Sequence, residues 1–505
     1  MSSLIHDAFL ACAAAQPHRT AVTQGNISLS YGALEQTSRS LAIQLSRRGV
    51  GPGDRVGIAM RKCPAAIAAI LGVLRAGAAY VPLDEQSPPR RQRAVLADGT
   101  VRGVVVDATS YGRLAPFDLE GVGFVLNVPD ATTIAPAPAN DDWRPPQNDS
   151  VHPAALLYTS GSTGTPKGVV MSHAAVASFV RWAVAEFGLD ASDRLASVAQ
   201  ISFDLSILDI FGALSVGATV HLVPPHSLLR PTLVTEQLRQ AGVTTWYSVP
   251  STLTHLVEHG DLVERGLPLL RRVLFAGEVF PLPQLRRALR ALPGADFFNL
   301  FGPTETNVCT WYRVPRPLPA DATAIPIGQA VAHAEVHVLG PQGDPVPPGD
   351  AGELCVAGRG LMSGYWNQPG ATDAAFWPPG TVPGAGRLYR TGDWVRCGGD
   401  RNLWFLGRRD RQVKHRGYRV ELAEVEAAVA SVPGVLESAI VTRPDAHGCG
   451  LHAILVPRGG KQLTVLDVKA HCAEVLPAYM VPASVEFRPS LPRTSTGKID
   501  YQRLR

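Results

Sequence analysis

Long apolar runs are missing from this sequence. The nearest candidate, residues 65–74 (AAIAAILGVL), is too short to cross a bilayer and is bounded by Arg61, Lys62 and Arg75. The opening stretch, MSSLIHDAFL, lacks the basic-then-apolar order of a secretory signal. Cysteine is sparse: Cys12, Cys63, Cys309, Cys355, Cys397, Cys449 and Cys472 are scattered, odd in number and never spaced as CxxC. Neither a disulfide framework nor a zinc site is suggested. A surplus of charge is absent too. The formal net charge is +4 over 505 residues, and no basic-aromatic patch occurs, so nucleic acid is not an expected partner. These absences leave a chain expected in the cytoplasm, with no membrane association. Its 46% hydrophobic and 18% charged residues are an ordinary globular balance. Its length exceeds what one core supports, so at least two domains are expected.

What is present alternates. Residues 31–49 carry apolar positions at helical spacing and end in glycine; residues 54–60 read as a strand, 65–76 as a helix, 78–84 as strand and turn. A Pro- and Asn-rich stretch, 128–150, reads as a loop leading into the strand AALLYTS, 154–160. Further strands are expected at 221–225, 244–250 and 272–278. This texture predicts an α/β fold with parallel sheets. From about Ile325, short runs between Gly and Pro turns predict a small β-rich subdomain. After Asp410 comes a basic stretch, RQVKHRGYR. A helix over 420–431, two strands and a second helix then predict a small α+β domain.

The densest local signal is LYTSGSTGTPKG, residues 157–168. Glycines let backbone N–H groups approach phosphate oxygens, hydroxyls add donors, and Lys167 adds a positive charge. The segment is not a GxxxxGK[ST] loop, because Gly168 follows Lys167. It is expected to follow a strand and to precede the helical segment AAVASFVRWAV, as phosphate sites at helix N-termini do.

This loop resembles the signature of the adenylate-forming superfamily, which includes amino-acid adenylation domains of nonribosomal peptide synthesis, acyl-CoA synthetases and firefly-type luciferases. Further matches follow in the family's order. They are LRAGAAYVPLD (74–84), FDLSILDIFGAL (203–214), NLFGPTET (299–306), GELCVAGRGLMSGYW (352–366), YRTGDWVR (389–396), GRRDRQVKHRGYRVEL (407–422) and LPRTSTGKID (491–500). The resemblance implies a large N-terminal domain, 1–409, with two α/β subdomains and a small β-rich one. It also implies a small mobile C-terminal domain, 410–505, that rotates about a hinge at Asp410.

It implies chemistry as well. ATP and Mg2+ activate a carboxylic acid as an acyl-AMP. A carboxylate is already a nucleophile, so positioning and cationic stabilisation carry the reaction rather than a general base. By resemblance, Glu305 is the Mg2+ ligand, assisted by Thr159, and Ser160, Gly161, Ser162, Thr163, Gly164 and Lys167 hold the phosphates. Phe301 stacks on adenine; Gly277, Asn299, Gly302 and Thr304 share that pocket; Asp393 accepts the ribose hydroxyls, with Arg408 nearby. Lys498 bridges the acid and the α-phosphate. In a second pose, the segment from Lys414 to Gly417 replaces it for thioester formation. An isolated Lys or Asp is usually a solvated surface charge; it is the surrounding motifs that argue otherwise.

Asp204 resembles the aspartate that pairs with the ammonium of an α-amino acid, which acyl-CoA synthetases and luciferases lack. A buried carboxylate without a cationic partner is costly, and an amino-bearing substrate supplies one. The other pocket positions, Leu205, Leu208, Tyr247, Leu274, Ala276, Leu300, Val308 and Cys309, are neutral and mostly aliphatic. This set resembles the free-standing L-prolyl-AMP ligases that feed pyrrole biosynthesis in secondary (antibiotic) metabolism. The implied substrate is L-proline, and the implied acceptor is the phosphopantetheine thiol of a separate carrier protein. The chain ends at Arg505, and its Gly-Gly pairs lack a serine for such an attachment, so the acceptor is expected in trans. Aliphatic pockets discriminate weakly, about 1–3 kcal/mol per methylene, so alanine, valine or a β-amino acid stay open. So do an acyl-CoA ligase and, outside catalysis, an adenylate-binding regulator.

Overall fold

The structure, a computed structural model, describes residues 4–114, 121–128, 142–161, 166–443, 450–458, 463–493 and 499–504. Two sheets carry the N-terminal region. In the seven-stranded one, the order is Gly364–Tyr365, Lys167–Ser172, Pro153–Thr159, Ala79–Pro82, Arg55–Ala59, Gly103–Val106 and Val125–Asn127. Its strands from Pro153–Thr159 to Val125–Asn127 run parallel, whereas Lys167–Ser172 and Gly364–Tyr365 pair antiparallel. The nine-stranded sheet has a parallel centre, Asp296–Phe301, Arg272–Phe275, Thr245–Ser248, Arg194–Ser197, Thr219–Leu222 and Thr20–Gln24, with antiparallel edges.

One core joins the two sheets, and the helix Pro64–Arg75 lies in it with all of its 12 residues buried. A helix apolar on every face has nowhere else to go. Its small residues let neighbours close in: a Cβ on Gly72 would stand 2.7 Å from Cβ of Leu41, on the helix Tyr31–Ser46.

The glycine- and hydroxyl-rich loop differs from its expected setting. It joins two antiparallel strands, with Thr159 opposite Lys167, and does not open a helix. The helix His173–Glu186 begins only after the second strand, where the Ser172 hydroxyl accepts from Ala175 N–H at 3.1 Å. Residues 168–172 are buried on both faces, so their sequence carries no alternation that marks a strand.

Strands Ala334–Leu339, Ala351–Gly358, Tyr389–Cys397 and Leu403–Arg408 form the antiparallel β-rich unit. Beyond Asp410 the basic stretch is a hairpin, Gln412–His415 with Tyr418–Glu421. Its two-residue turn puts Arg416 at φ 51° and Gly417 at φ 81°, the twist that suits a tight hairpin. The following helix therefore starts at Leu422, not at residue 420. Helices Leu422–Ala430 and Val465–Val475 pack with a three-stranded sheet, Val435–Arg443, Gly450–Pro457 and Ser484–Phe487, around a core of its own. Among the described residues, no helix is long and apolar enough to cross a membrane.

Candidate active site

A cleft opens at the carboxyl ends of the parallel strands, where open α/β sheets place their ligands. Thr159, Asp204, Tyr247, Ala276 and Gly302 line it from the N-terminal region; Lys414, Gly417 and Arg419 close it from the C-terminal hairpin. Two glycines are required by the backbone. A Cβ on Gly302 would lie 1.7 Å from the Asn307 carbonyl oxygen, and Gly277 sits at φ 88°.

Glu305 is the electrostatic centre. It is 1% exposed; Tyr365 Oη donates to its Oε1 at 2.7 Å and Arg419 Nη1 to its Oε2 at 2.6 Å. Burial alone would raise its pKa, but the Arg419 guanidinium and the Tyr365 hydroxyl outweigh that and hold it below the usual value. Lys167 Nζ lies 5.2 Å from the centre of the Tyr365 ring, so this cation also belongs to the cluster.

The described part of the glycine- and hydroxyl-rich loop meets the C-terminal region directly. Ser160 Oγ donates to the Arg419 carbonyl at 2.6 Å and accepts from Glu421 N–H at 3.2 Å. Gly161 N–H donates to Glu424 Oε2 at 3.3 Å, and Glu424 is itself paired with Arg91. A carboxylate thus takes the backbone donor that the sequence assigned to phosphate. Ser162, Thr163 and Gly164 lie outside the described residues, as does Lys498.

Among the residues expected to hold the nucleotide, Lys414 Nζ stands 4.5 Å from the centre of the Phe301 ring. Burial lowers the Lys414 pKa, against the pull of Asp393. Asp393 is buried and accepts from Arg408 Nη1 at 2.7 Å; Arg408 also donates to Asp410 at 2.8 and 2.5 Å. Asn299 spends its amide on the Pro326 carbonyl at 2.9 Å. Thr304 turns to the acid side, its hydroxyl donating to Asp204 Oδ2 at 2.8 Å.

Asp204 has no cation within ion-pair distance among the described residues, and burial raises its pKa. Leu205, Tyr247, Ala276 and Val308 share its cavity wall, while Leu208, Leu274, Leu300 and Cys309 are buried in the core. Tyr247, near the end of the strand Thr245–Ser248, lines the cavity.

Sequence reasoning did not single out Phe179, Tyr365, Tyr418, Arg419 or Tyr479, although all five are at the site. Tyr365, Tyr418 and Arg419 stand inside motifs quoted for the resemblance, which was the available signal. Phe179 projects from a helix whose other residues read as ordinary core.

The model of the AMP-binding enzyme family matches residues 9–366, and that of the AMP-binding enzyme C-terminal domain matches residues 424–498. The chain is 41% identical over 507 residues to an L-proline--[L-prolyl-carrier protein] ligase of Streptomyces coelicolor, covering 95% of this chain and 92% of that one. It is 37% identical over 508 residues to a protein of the same name from Pseudomonas fluorescens, covering 98% of each. The Vibrio cholerae adenylation domain AlmE, solved in complex with glycyl-adenosine-5'-phosphate, superposes with a TM-score of 0.83 at 27% identity, over 100% of this chain and 97% of that one.

Proposed function

Because the chain belongs to the AMP-binding enzyme family, we propose that it activates L-proline with ATP as prolyl-AMP and passes the prolyl group to the phosphopantetheine thiol of a carrier protein. The observation that carries this reading is Asp204, a carboxylate with no cation within ion-pair distance among the described residues, set among the neutral side chains Leu205, Tyr247, Ala276 and Val308. Proline offers one secondary ammonium for the carboxylate and an aliphatic ring for the wall. The names of the two ligases, at 37% and 41% identity, support the same substrate and acceptor.

In the first step a carboxylate oxygen of proline attacks the α-phosphorus of ATP and pyrophosphate leaves. Asp204 holds the ammonium, Asp393 and Phe301 hold the nucleoside, and Lys498 bridges the reacting groups. Glu305 and Thr159 are the residues that would hold Mg2+. The position suits a cation, since Glu305 is buried and charged and here meets the guanidinium of Arg419. When bound, the metal offsets charge on the departing pyrophosphate. In the second step the carrier thiolate attacks the acyl carbonyl and AMP leaves. The hairpin pose, with Lys414 and Gly417 in the cleft, is the arrangement for that step. It implies rotation between units 1–409 and 410–505 about Asp410.

An ATP–pyrophosphate exchange panel over the common amino acids tests the reading. L-proline is expected to lead, with no turnover of aspartate, lysine or glutamine. A tenfold or greater preference for alanine, valine or a β-amino acid overturns the substrate. No exchange with any acid overturns the activity.

A further inference from the structure

Lys62 is a buried cation outside the chemistry described so far. It follows the strand Arg55–Ala59 of the seven-stranded sheet, and its side chain is 4% exposed. Its Nζ donates to three consecutive carbonyls, of Ser197 at 2.8 Å, Val198 at 2.8 Å and Ala199 at 3.0 Å. These lie where Arg194–Ser197, a strand of the other sheet, ends. One ammonium therefore joins the carboxyl ends of two sheets and uses all three of its N–H donors to do so.

The chain beyond those carbonyls forms a wall of the cleft. Gln200 Nε2 lies 3.4 Å from Tyr418 Oη, and the Phe203 ring stands edge-on to Tyr418 at 4.7 Å. Asp204 and Leu205 face the cavity. The segment then enters a π-helical turn, Leu208–Gly212, a geometry that inserts an extra residue and recurs at functional sites. Asp209, in that turn, is fully buried, and neither of its carboxyl oxygens has a hydrogen-bond partner among the described residues. Such a group calls for an explanation. Burial pushes the Asp209 carboxyl well above its usual value, with the Lys62 charge pulling it back. Burial pulls the Lys62 ammonium down to about 7, with Asp209 and then Glu85 holding it up.

We infer that Lys62 and Asp209 are positioning residues for the acid pocket: the Lys62 ammonium tethers the entry of segment 197–209 through three carbonyls, the buried Asp209 carboxylate offsets its charge without bonding to it, and together they set where Asp204 meets the substrate ammonium. The role of Asp204 rests on the function proposed above; the tether does not. Losing one charge leaves the other buried and uncompensated, whereas losing both restores neutrality.

The test compares Lys62→Met, Asp209→Asn and the double variant Lys62→Met/Asp209→Leu with the parent chain. Hydrogen–deuterium exchange, which needs no substrate, reads the tether. In Lys62→Met, amides of 198–209 are expected to exchange about tenfold faster, with those of the helix Pro64–Arg75 unchanged and the double variant nearer the parent. Pyrophosphate exchange reads the consequence: KM for the amino acid rises about tenfold, while KM for ATP and kcat stay within about threefold. If Lys62→Met does not fold, Asp209→Asn, which keeps the volume, must show the same pattern at smaller amplitude. Unchanged exchange in 198–209 overturns the tether whatever the substrate proves to be. A parallel rise of both KM values, or uniform loosening of the chain, shows a general structural role and overturns the positioning. A parent without turnover overturns the function alone, and the exchange data still decide the tether.

Discussion

Arg419 Nη1 stands 2.6 Å from Glu305 Oε2, across 114 residues of sequence. The contact brings the C-terminal hairpin onto the carboxylate proposed to hold Mg2+. Guanidinium and metal cannot both occupy that face of the carboxylate, so docking of the hairpin and binding of the metal oppose one another. Removing the guanidinium leaves a buried carboxylate uncompensated, worth about 3–5 kcal/mol against the docked pose. Arg419→Ala is expected to expose residues 408–411, rich in arginine, to faster trypsin cleavage. Glu305→Gln is expected to raise the Mg2+ requirement of adenylation, since a hard cation prefers charged oxygens. A magnesium titration identical to that of the parent would remove Glu305 from the metal site.

The proposed function assigns the two half-reactions to different lysines. Lys498→Ala is expected to abolish pyrophosphate exchange while ATP binding and fold persist. Lys414, stacked over Phe301 in the docked pose, is expected to matter for transfer. Lys414→Ala should keep exchange within about tenfold, or 1.4 kcal/mol, and lose more of the transfer to carrier. Separate assays of the two steps decide this, and an Lys498→Ala enzyme with exchange near the parental rate contradicts the assignment.

The acid pocket gives a contrast between neighbours. Asp204→Ala is expected to weaken amino-acid binding by more than about tenfold, roughly 1.4 kcal/mol. Leu205 faces the cavity, whereas Leu208 is wholly buried behind it. Leu205→Ala should therefore shift preference toward bulkier ring homologues of proline at little cost in stability. Leu208→Ala should open an internal cavity and cost about 2–5 kcal/mol of stability. Substrate panels and denaturant melts on both variants read the two effects, and a large stability loss in Leu205→Ala would contradict the placement.

Acid should loosen the N-terminal end. His6 and His173 are buried, with ring centres 5.9 Å apart, and Ile5 N–H donates to His173 Nδ1 at 3.3 Å. Burial lowers His6 to about 4 and His173 to about 3, from an ordinary 6.5. Both are held neutral in the fold, so their contribution is intact above pH 6.5. It is lost as pH falls below that value, because only the unfolded chain then takes up the protons. At pH 5 linkage gives about 2 kcal/mol for each. Melting temperatures between pH 7.5 and pH 5 are expected to fall, and the fall to shrink in His173→Gln. An equal fall in that variant would place the acid sensitivity elsewhere.

By itself, the amino-acid sequence determined the family and the order of the parts. The glycine- and hydroxyl-rich loop, the motifs around Glu305, Asp393 and Lys498, and the alternation of strand and helix are local patterns, written in consecutive residues and readable without partners. So was the change from α/β texture to a β-rich unit and then to a small α+β domain. Only the tertiary structure decided who meets whom. Gly161 donates to Glu424 across 263 residues and Arg419 reaches Glu305 across 114, and contacts of such separation leave no trace in periodicity. Residues 168–172 are buried on both faces, so nothing local distinguished a strand from the start of a helix. Leu205 and Leu208 read alike in sequence, three positions apart in an apolar run. It is the π-helical turn and the packing of the two sheets that put one on the cavity wall and the other in the core.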